Sequence, residues 1–91
     1  MNVENTTVKN DPDKKEIKII QELFISNKLT EAIKEIKQKL TQYPKSSVLY
    51  NMLGVVLAGQ KKFKEAIENY YQSIKINPKY VQAYNNLGAS L

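Results

Sequence analysis

Apolar residues recur at three- and four-residue steps through most of this chain. Leu49, Leu53, Val56 and Leu57 keep that spacing, and so do Ala66, Ile67, Tyr70, Tyr71 and Ile74, the period of helices that turn one face to a core. Short breaks interrupt the pattern at Ser26 to Leu29 and at Gly59 to Lys62, and again at Tyr43-Pro44 and Asn77-Pro78. Proline lacks an amide donor and pushes the residue before it out of the helical region, so each Pro pair ends a helix. The pattern predicts helices at about 13–26, 30–42, 47–59, 64–76 and 81–91. Thr30 is expected to cap the second helix and Ser46 or Ser47 the third, through side-chain oxygens that accept from free amides of the first turn. Residues 1–12 are polar and without periodicity, and are expected to form a disordered tail.

The helices come in pairs that repeat. An offset of 34 residues carries Leu23 onto Leu57, Lys28 onto Lys62, Glu31-Ala32-Ile33 onto Glu65-Ala66-Ile67, Gln38 onto Gln72 and Pro44-Lys45 onto Pro78-Lys79. It also carries Tyr50, Asn51, Leu53, Gly54 and Leu57 onto Tyr84, Asn85, Leu87, Gly88 and Leu91. The chain therefore divides into the tail, a first unit over 13–46, a second over 47–80, and the first helix of a third over 81–91. The second unit reads Tyr50, Leu53-Gly54, Leu57, Phe63, Ala66, Tyr70 and Pro78, and this spacing resembles the tetratricopeptide repeat family. The first unit is a degenerate version. Leu23, Leu29, Ala32, Ile36 and Pro44 fit, but Glu16 stands where the aromatic residue belongs and Ile20 where the small one belongs, departures suited to a terminal repeat whose outer face meets water.

The resemblance implies an all-α fold of helical hairpins stacked as a short right-handed solenoid of about five helices. The physical basis is plain in the residues: Gly54 and Ala66 let paired helices approach, Ser73 makes room for a neighbouring hairpin, and the aromatic and aliphatic positions fill the space between. A single hairpin cannot bury its apolar stripe, whereas stacked hairpins can, and their first helices then line a concave groove that suits a peptide or a partner helix. The family geometry puts Ile17, Lys18 and Gln21, then Val48, Asn51, Met52 and Val55, then Gln82, Asn85 and Asn86 on that groove. Asparagine offers both a donor and an acceptor to a ligand main chain. The carboxylate clamp by which some members of the family hold chaperone tails would fall on Ile17, Gln21, Met52, Gln82 and Asn86; none is cationic, which argues against that ligand. An asparagine ladder like that of the O-linked N-acetylglucosamine transferase repeats fits Asn86 but is broken at Met52.

Composition narrows the function further. The chain has no Cys and no His, which removes disulfides, thiolate nucleophiles, the common zinc sites and imidazole bases, so neither catalysis nor a cofactor is expected. Its formal charge of +5 comes from lysine alone. Arginine is the side chain favoured for bidentate contact with phosphate and guanine, so a nucleic-acid reader without one would be unusual, and the lysines read as solvated helix surface. Glu31 and Glu35, Glu65 and Glu68 alternate with Lys34, Lys37 and Lys64 as expected weak surface pairs. No apolar run approaches the length of a membrane span, so a cytoplasmic location is expected, and the Lys-, Asn- and Ile-rich usage resembles that of AT-rich bacterial genomes. Together these features point to a protein–protein interaction module. The alternative is an N-terminal scaffold of a larger bacterial glycosyl- or sulfotransferase. Val81, Tyr84, Leu87 and Leu91 leave the final helix apolar with no second helix beside it, so it is expected either to fray after about Asn85 or to pair with another copy.

Overall fold

The computed structural model describes residues 10–91. Five helices follow in order: α1 (Lys14–Ile25), α2 (Leu29–Gln42), α3 (Ser47–Gly59), α4 (Phe63–Ile76) and α5 (Val81–Ser90). α1 and α2 form one hairpin, α3 and α4 a second, and α5 packs on α4 and α3. The result is an all-α helical-repeat stack. Most of the tail expected over 1–12 lies outside the described residues. Its end is not free, because Pro12 is buried and the Asp11 carboxylate accepts a 2.6 Å hydrogen bond from the Ser46 hydroxyl.

Each helix start has a local cause. α1 begins with a capping box: Asp13 accepts from the amide of Glu16 at 2.9 Å, and the Glu16 carboxylate accepts from the amide of Asp13 at 3.0 Å. At α3 the Ser46 hydroxyl accepts from the Leu49 amide at 3.0 Å, whereas Ser47 lies inside the first turn. Thr30 does not cap α2. That helix starts earlier, at Leu29, with Lys28 in the cap position and no side-chain hydrogen bond there. The reason is the turn before it. Asn27 takes a left-handed conformation (φ 61°), and Lys28 donates back to the Leu23 carbonyl at 2.8 Å, the closing bond of a Schellman motif. The same turn recurs one repeat later, with Lys61 at φ 64° and Lys62 donating to Leu57 at 2.9 Å.

The α3/α4 hairpin is the tightest packing in the chain, and Gly54 is what permits it. A Cβ there would stand 2.6 Å from Cδ1 and 3.0 Å from Cζ of Tyr70, and closer still to its Cε1. The ring lies in the notch that the missing side chain leaves, and only 2% of Tyr70 is exposed. Burial raises the Tyr70 phenol above its ordinary range, partly opposed by the nearby Ser90 side chain. In the first unit the matching positions are Ile20 and Ile36, both fully buried. Two isoleucines there replace a glycine and a tyrosine, dividing the volume between the partners instead of giving it to one. Ala32 and Ala66 are also fully buried, with Leu53 and Leu57 nearly so, while Tyr50 is half-buried and Phe63, Pro44 and Pro78 are exposed. Ser73 also serves its own hairpin: its buried hydroxyl donates to the Ser47 carbonyl at 2.7 Å.

The degenerate positions of the first unit form a polar cluster. Lys39, one repeat before Ser73, pairs with Glu16 at 3.1 Å and with Glu35 at 3.7 Å, and the Tyr43 hydroxyl donates to Glu16 at 3.1 Å. The surface pairs expected with Lys34, Lys37 and Lys64 do not form among the described residues; Glu35 reaches Lys39 one turn on instead. The Asp13 amide, then Lys39 and Tyr43, hold the Glu16 carboxyl below the ordinary carboxylate range against some desolvation, while Glu16 raises both Lys39 and Tyr43.

This packing sets the expected outcome of four substitutions. Gly54→Ala should destabilise the chain by ~1 to 3 kcal/mol because Tyr70 must move, although alanine is the better helix former by ~1 kcal/mol. Gly88, on the same repeat position, has nothing within 4 Å of its would-be Cβ, so Gly88→Ala should be neutral or stabilising in dilute solution; urea titrations of the two variants check the contrast. Lys61→Gly should stabilise by roughly 1 kcal/mol, since an L-residue at positive φ carries that strain, and thermal melts read it directly. Because the folded-state value of Glu16 is depressed, the stability it contributes is present above the ordinary glutamate range and is lost as pH falls through the lowered value. Glu16→Gln should therefore lower stability at neutral pH, flatten the acid limb of the stability–pH curve and, because Glu16 also raises Lys39 and Tyr43, weaken the fall in stability at alkaline pH.

Candidate functional site

α1, α3 and α5 are the first helices of their units, the ones to which the family resemblance assigns a groove. The predicted groove residues do not share one environment there. Lys18, Gln21, Gln82 and Asn85 are exposed; Val48, Met52, Val55 and Asn86 are half-buried, as is Ile17. Asn51 is the departure, with 5% of its surface exposed. Its carbonyl oxygen accepts from the Asn86 amide at 2.9 Å, and its own amide faces the Tyr80 hydroxyl at 3.5 Å. That hydroxyl donates to Gln82 at 3.0 Å. Burial pushes the Tyr80 phenol up, with the Asn51 contact opposing and the nearby Asp11 charge adding. Asn51 thus joins α3 to α5, and its polar atoms are spent on the protein itself.

The other half of the groove is open. α3 approaches α5 closely, whereas α1 and α3 scarcely touch, and the gap is a cavity of about 440 Å³ lined by Ile20, Gln21, Phe24, Ile25, Met52, Val55 and Val56. Ile20 and Val56 make the floor, being fully or almost fully buried. Met52 and Val55 line the α3 side, while Gln21, Phe24 and Ile25 line the α1 side. No lining residue is charged, and Gln21 is the polar one. The volume suits a large apolar group.

Three of these residues, Gln21, Met52 and Val55, follow from repeat geometry. Phe24, Ile25 and Val56 do not. The signal for two of them is present in Leu23-Phe24-Ile25, because three consecutive large apolar residues on a helix cannot all face one core. Among the described residues, no group of acidic side chains could hold a metal ion, and no helix is long and apolar enough to cross a membrane.

The similarities of the chain agree with this architecture. A family model described as TPR repeat matches residues 54–91. The chain is 33% identical over 69 residues to the peroxisomal targeting signal receptor of Candida albicans, an alignment covering 75% of this chain and 12% of the receptor. It is 41% identical over 49 residues to the photosystem I assembly protein Ycf3 of Acaryochloris marina, covering 54% of this chain and 29% of Ycf3. The matched stretch thus spans less than a third of either relative. Among solved structures, the TPR2B domain of yeast Sti1 in complex with pHsp70 superposes with a TM-score of 0.79 at 22% identity, over 85% of this chain and 62% of that one. With the repeat spacing, the Gly54–Tyr70 hairpin contact and these similarities together, the chain belongs to the tetratricopeptide-repeat family.

Proposed function

We propose that this chain is a protein-interaction module that takes a peptide segment of a partner protein in its concave groove, anchored by a large apolar side chain in the cavity between α1 and α3. The observation that carries this reading is the cavity itself: about 440 Å³, uncharged, and opening beside the exposed Gln21. Removing an apolar side chain from water drives its entry, at roughly 25 cal/mol per Å² buried. Gln21 supplies a donor and an acceptor for the peptide main chain at the rim, and Lys18, one turn earlier on α1, offers a positive charge to an acidic flank. The names of two relatives point the same way: one is a receptor for a targeting signal, and the Sti1 domain is seen in a complex with another protein.

The reading differs from a carboxylate clamp. The positions where that clamp would sit, Ile17, Gln21, Met52, Gln82 and Asn86, carry no cation, and Asn86 is already bonded to Asn51. Contact is accordingly assigned to Gln21, Met52 and Val55 together with Phe24 and Ile25, and not to Asn51.

Selection of a random peptide display library on the immobilised chain tests the proposal. Enriched peptides should share one large apolar residue, and Met52→Glu or Val55→Glu should each weaken them ~10-fold or more, because a carboxylate in that cavity has no partner. Both positions are only half-buried, so melting temperatures should change little. Enriched peptides without a common apolar residue, or binding indifferent to both changes, would refute the groove reading.

A further inference from the structure

Charge and hydrogen-bonding capacity along the groove between α1 and α3 narrow what it can hold. On α1, Lys14, Lys18, Gln21 and Ile25 follow at steps of four, three and four residues, so at ~100° per residue they share one ridge. Gln21 and Ile25 line the cavity, which places the two lysines on the same edge, one and two turns nearer the start of α1. All four are exposed. The acidic residues of α1 are turned elsewhere. Glu16 is paired with Lys39, and Glu22 lies on the flank opposite Ile20 and Phe24, away from the cavity. α3 has no charged residue over Ser47–Gly59. The groove is thus apolar beside the second half of α1 and positive beside the first, and among the described residues no acidic side chain pairs with Lys14 or Lys18.

Polar partners for a ligand main chain are scarce. Asn51 and Asn86 are bonded to each other, which leaves Gln21 as the one polar side chain at the cavity. An extended peptide brings an amide and a carbonyl with almost every residue, and each one desolvated without a partner costs free energy. A helix bonds its main chain internally and leaves its first-turn amides open, one of which can donate to Gln21. We propose that the segment held in this groove is an amphipathic acidic helix running antiparallel to α1, an inference that rests on the groove reading above. Its apolar anchor, near its N-terminal end, fills the cavity, and its carboxylates face Lys14 and Lys18. Direction follows from charge, because the C-terminal end of a helix is the negative end of its dipole and here lies with the acidic side chains against the two lysines. Spacing follows from rise. From midway between Lys14 and Lys18 to midway between Gln21 and Ile25 is seven residues, ~10 Å along the axis, so the carboxylates belong seven or eight positions after the anchor, on the same face of the bound helix.

Fluorescence anisotropy of labelled alanine-rich peptides with the whole chain tests this. A forward peptide carries Leu at positions i and i+4 and Glu at i+7 and i+8; a reversed peptide carries the same residues in the opposite order; a broken peptide is the forward one with a central proline. The forward peptide should bind ~10-fold tighter than either. Lys14→Glu together with Lys18→Glu should remove that advantage, and a forward peptide with Lys in place of Glu should regain it on the double variant. Forward binding no tighter than either control, or a charge exchange that restores nothing, overturns the proposal. Met52→Glu separates its failure from that of the groove reading. If all three peptides bind alike and Met52→Glu abolishes them, the groove stands and the acidic helix falls; if Met52→Glu leaves the forward peptide bound, both fall. Two other occupants have signatures of their own, and either overturns the proposal: a dimer in light scattering that Met52→Glu dissolves and the forward peptide does not, or no peptide binding until residues 1–9 are removed.

Discussion

The distance between α3 and α4 governs the rest of the molecule, and one contact sets it. The Tyr70 ring can lie flat in the stack only because Gly54 has no side chain, and once it lies there the helices are close enough for the Ser73 hydroxyl to reach the Ser47 carbonyl at 2.7 Å. That bond matters in turn because a hydroxyl buried without a partner costs ~1 to 3 kcal/mol. α4, which carries the ring, also packs on α5, so the helix that closes the second hairpin helps to seat the first helix of the third. A short repeat protein gains stability from such neighbour terms and has few of them, which concentrates the burden on this pair.

The first unit meets the same geometric demand by other chemistry. Ile20 and Ile36 share the volume that Gly54 and Tyr70 apportion unequally, and both are fully buried. Where the second unit has Tyr50 and Ser73, the first has Glu16 and Lys39, paired at 3.1 Å. That ion pair is part-buried, and it adds modest stability while keeping this face of the first hairpin polar. Asp11 on Ser46 and the buried Pro12 extend that covering by one chain segment before α1 starts. Degeneracy in the first unit is therefore a coherent substitution set, in which each change compensates another.

The helices and their pairing are legible in the sequence because they depend on local periodicity and on an offset that any chain can be tested for. What the sequence withholds are quantities fixed by tertiary distance. Thr30 has the look of a cap because its hydroxyl stands beside Glu31-Ala32, but Asn27 at φ 61° lets the chain re-enter a helix at Leu29, and the cap is superfluous. Asn51 occupies a groove position in register, yet whether a groove position is open or closed depends on how near the next repeat comes. α5 comes near enough for Asn86 to bond it at 2.9 Å. α1 does not, and the cavity beside Met52 and Val55 is the consequence. Register gives the face; it does not give the width of the gap.

That difference in width separates what makes the chain recognisable from what would make it selective. The family match covers residues 54–91, the part that holds the Gly54–Tyr70 contact, the repeated glycine of α5 and the closed Asn51–Asn86 junction's second member. The cavity draws on Ile20, Gln21, Phe24, Ile25 and Met52, with only Val55 and Val56 inside that match. Signature positions are constrained by helix-to-helix distance and leave little freedom for ligand chemistry. The degenerate repeat has that freedom, because Ile20 behind the groove already supplies the core and Phe24 and Ile25 in front of it are not needed there. Under the proposed reading, a stack of this kind keeps its fold in one repeat and would write its specificity in the neighbouring one, at the gap between them.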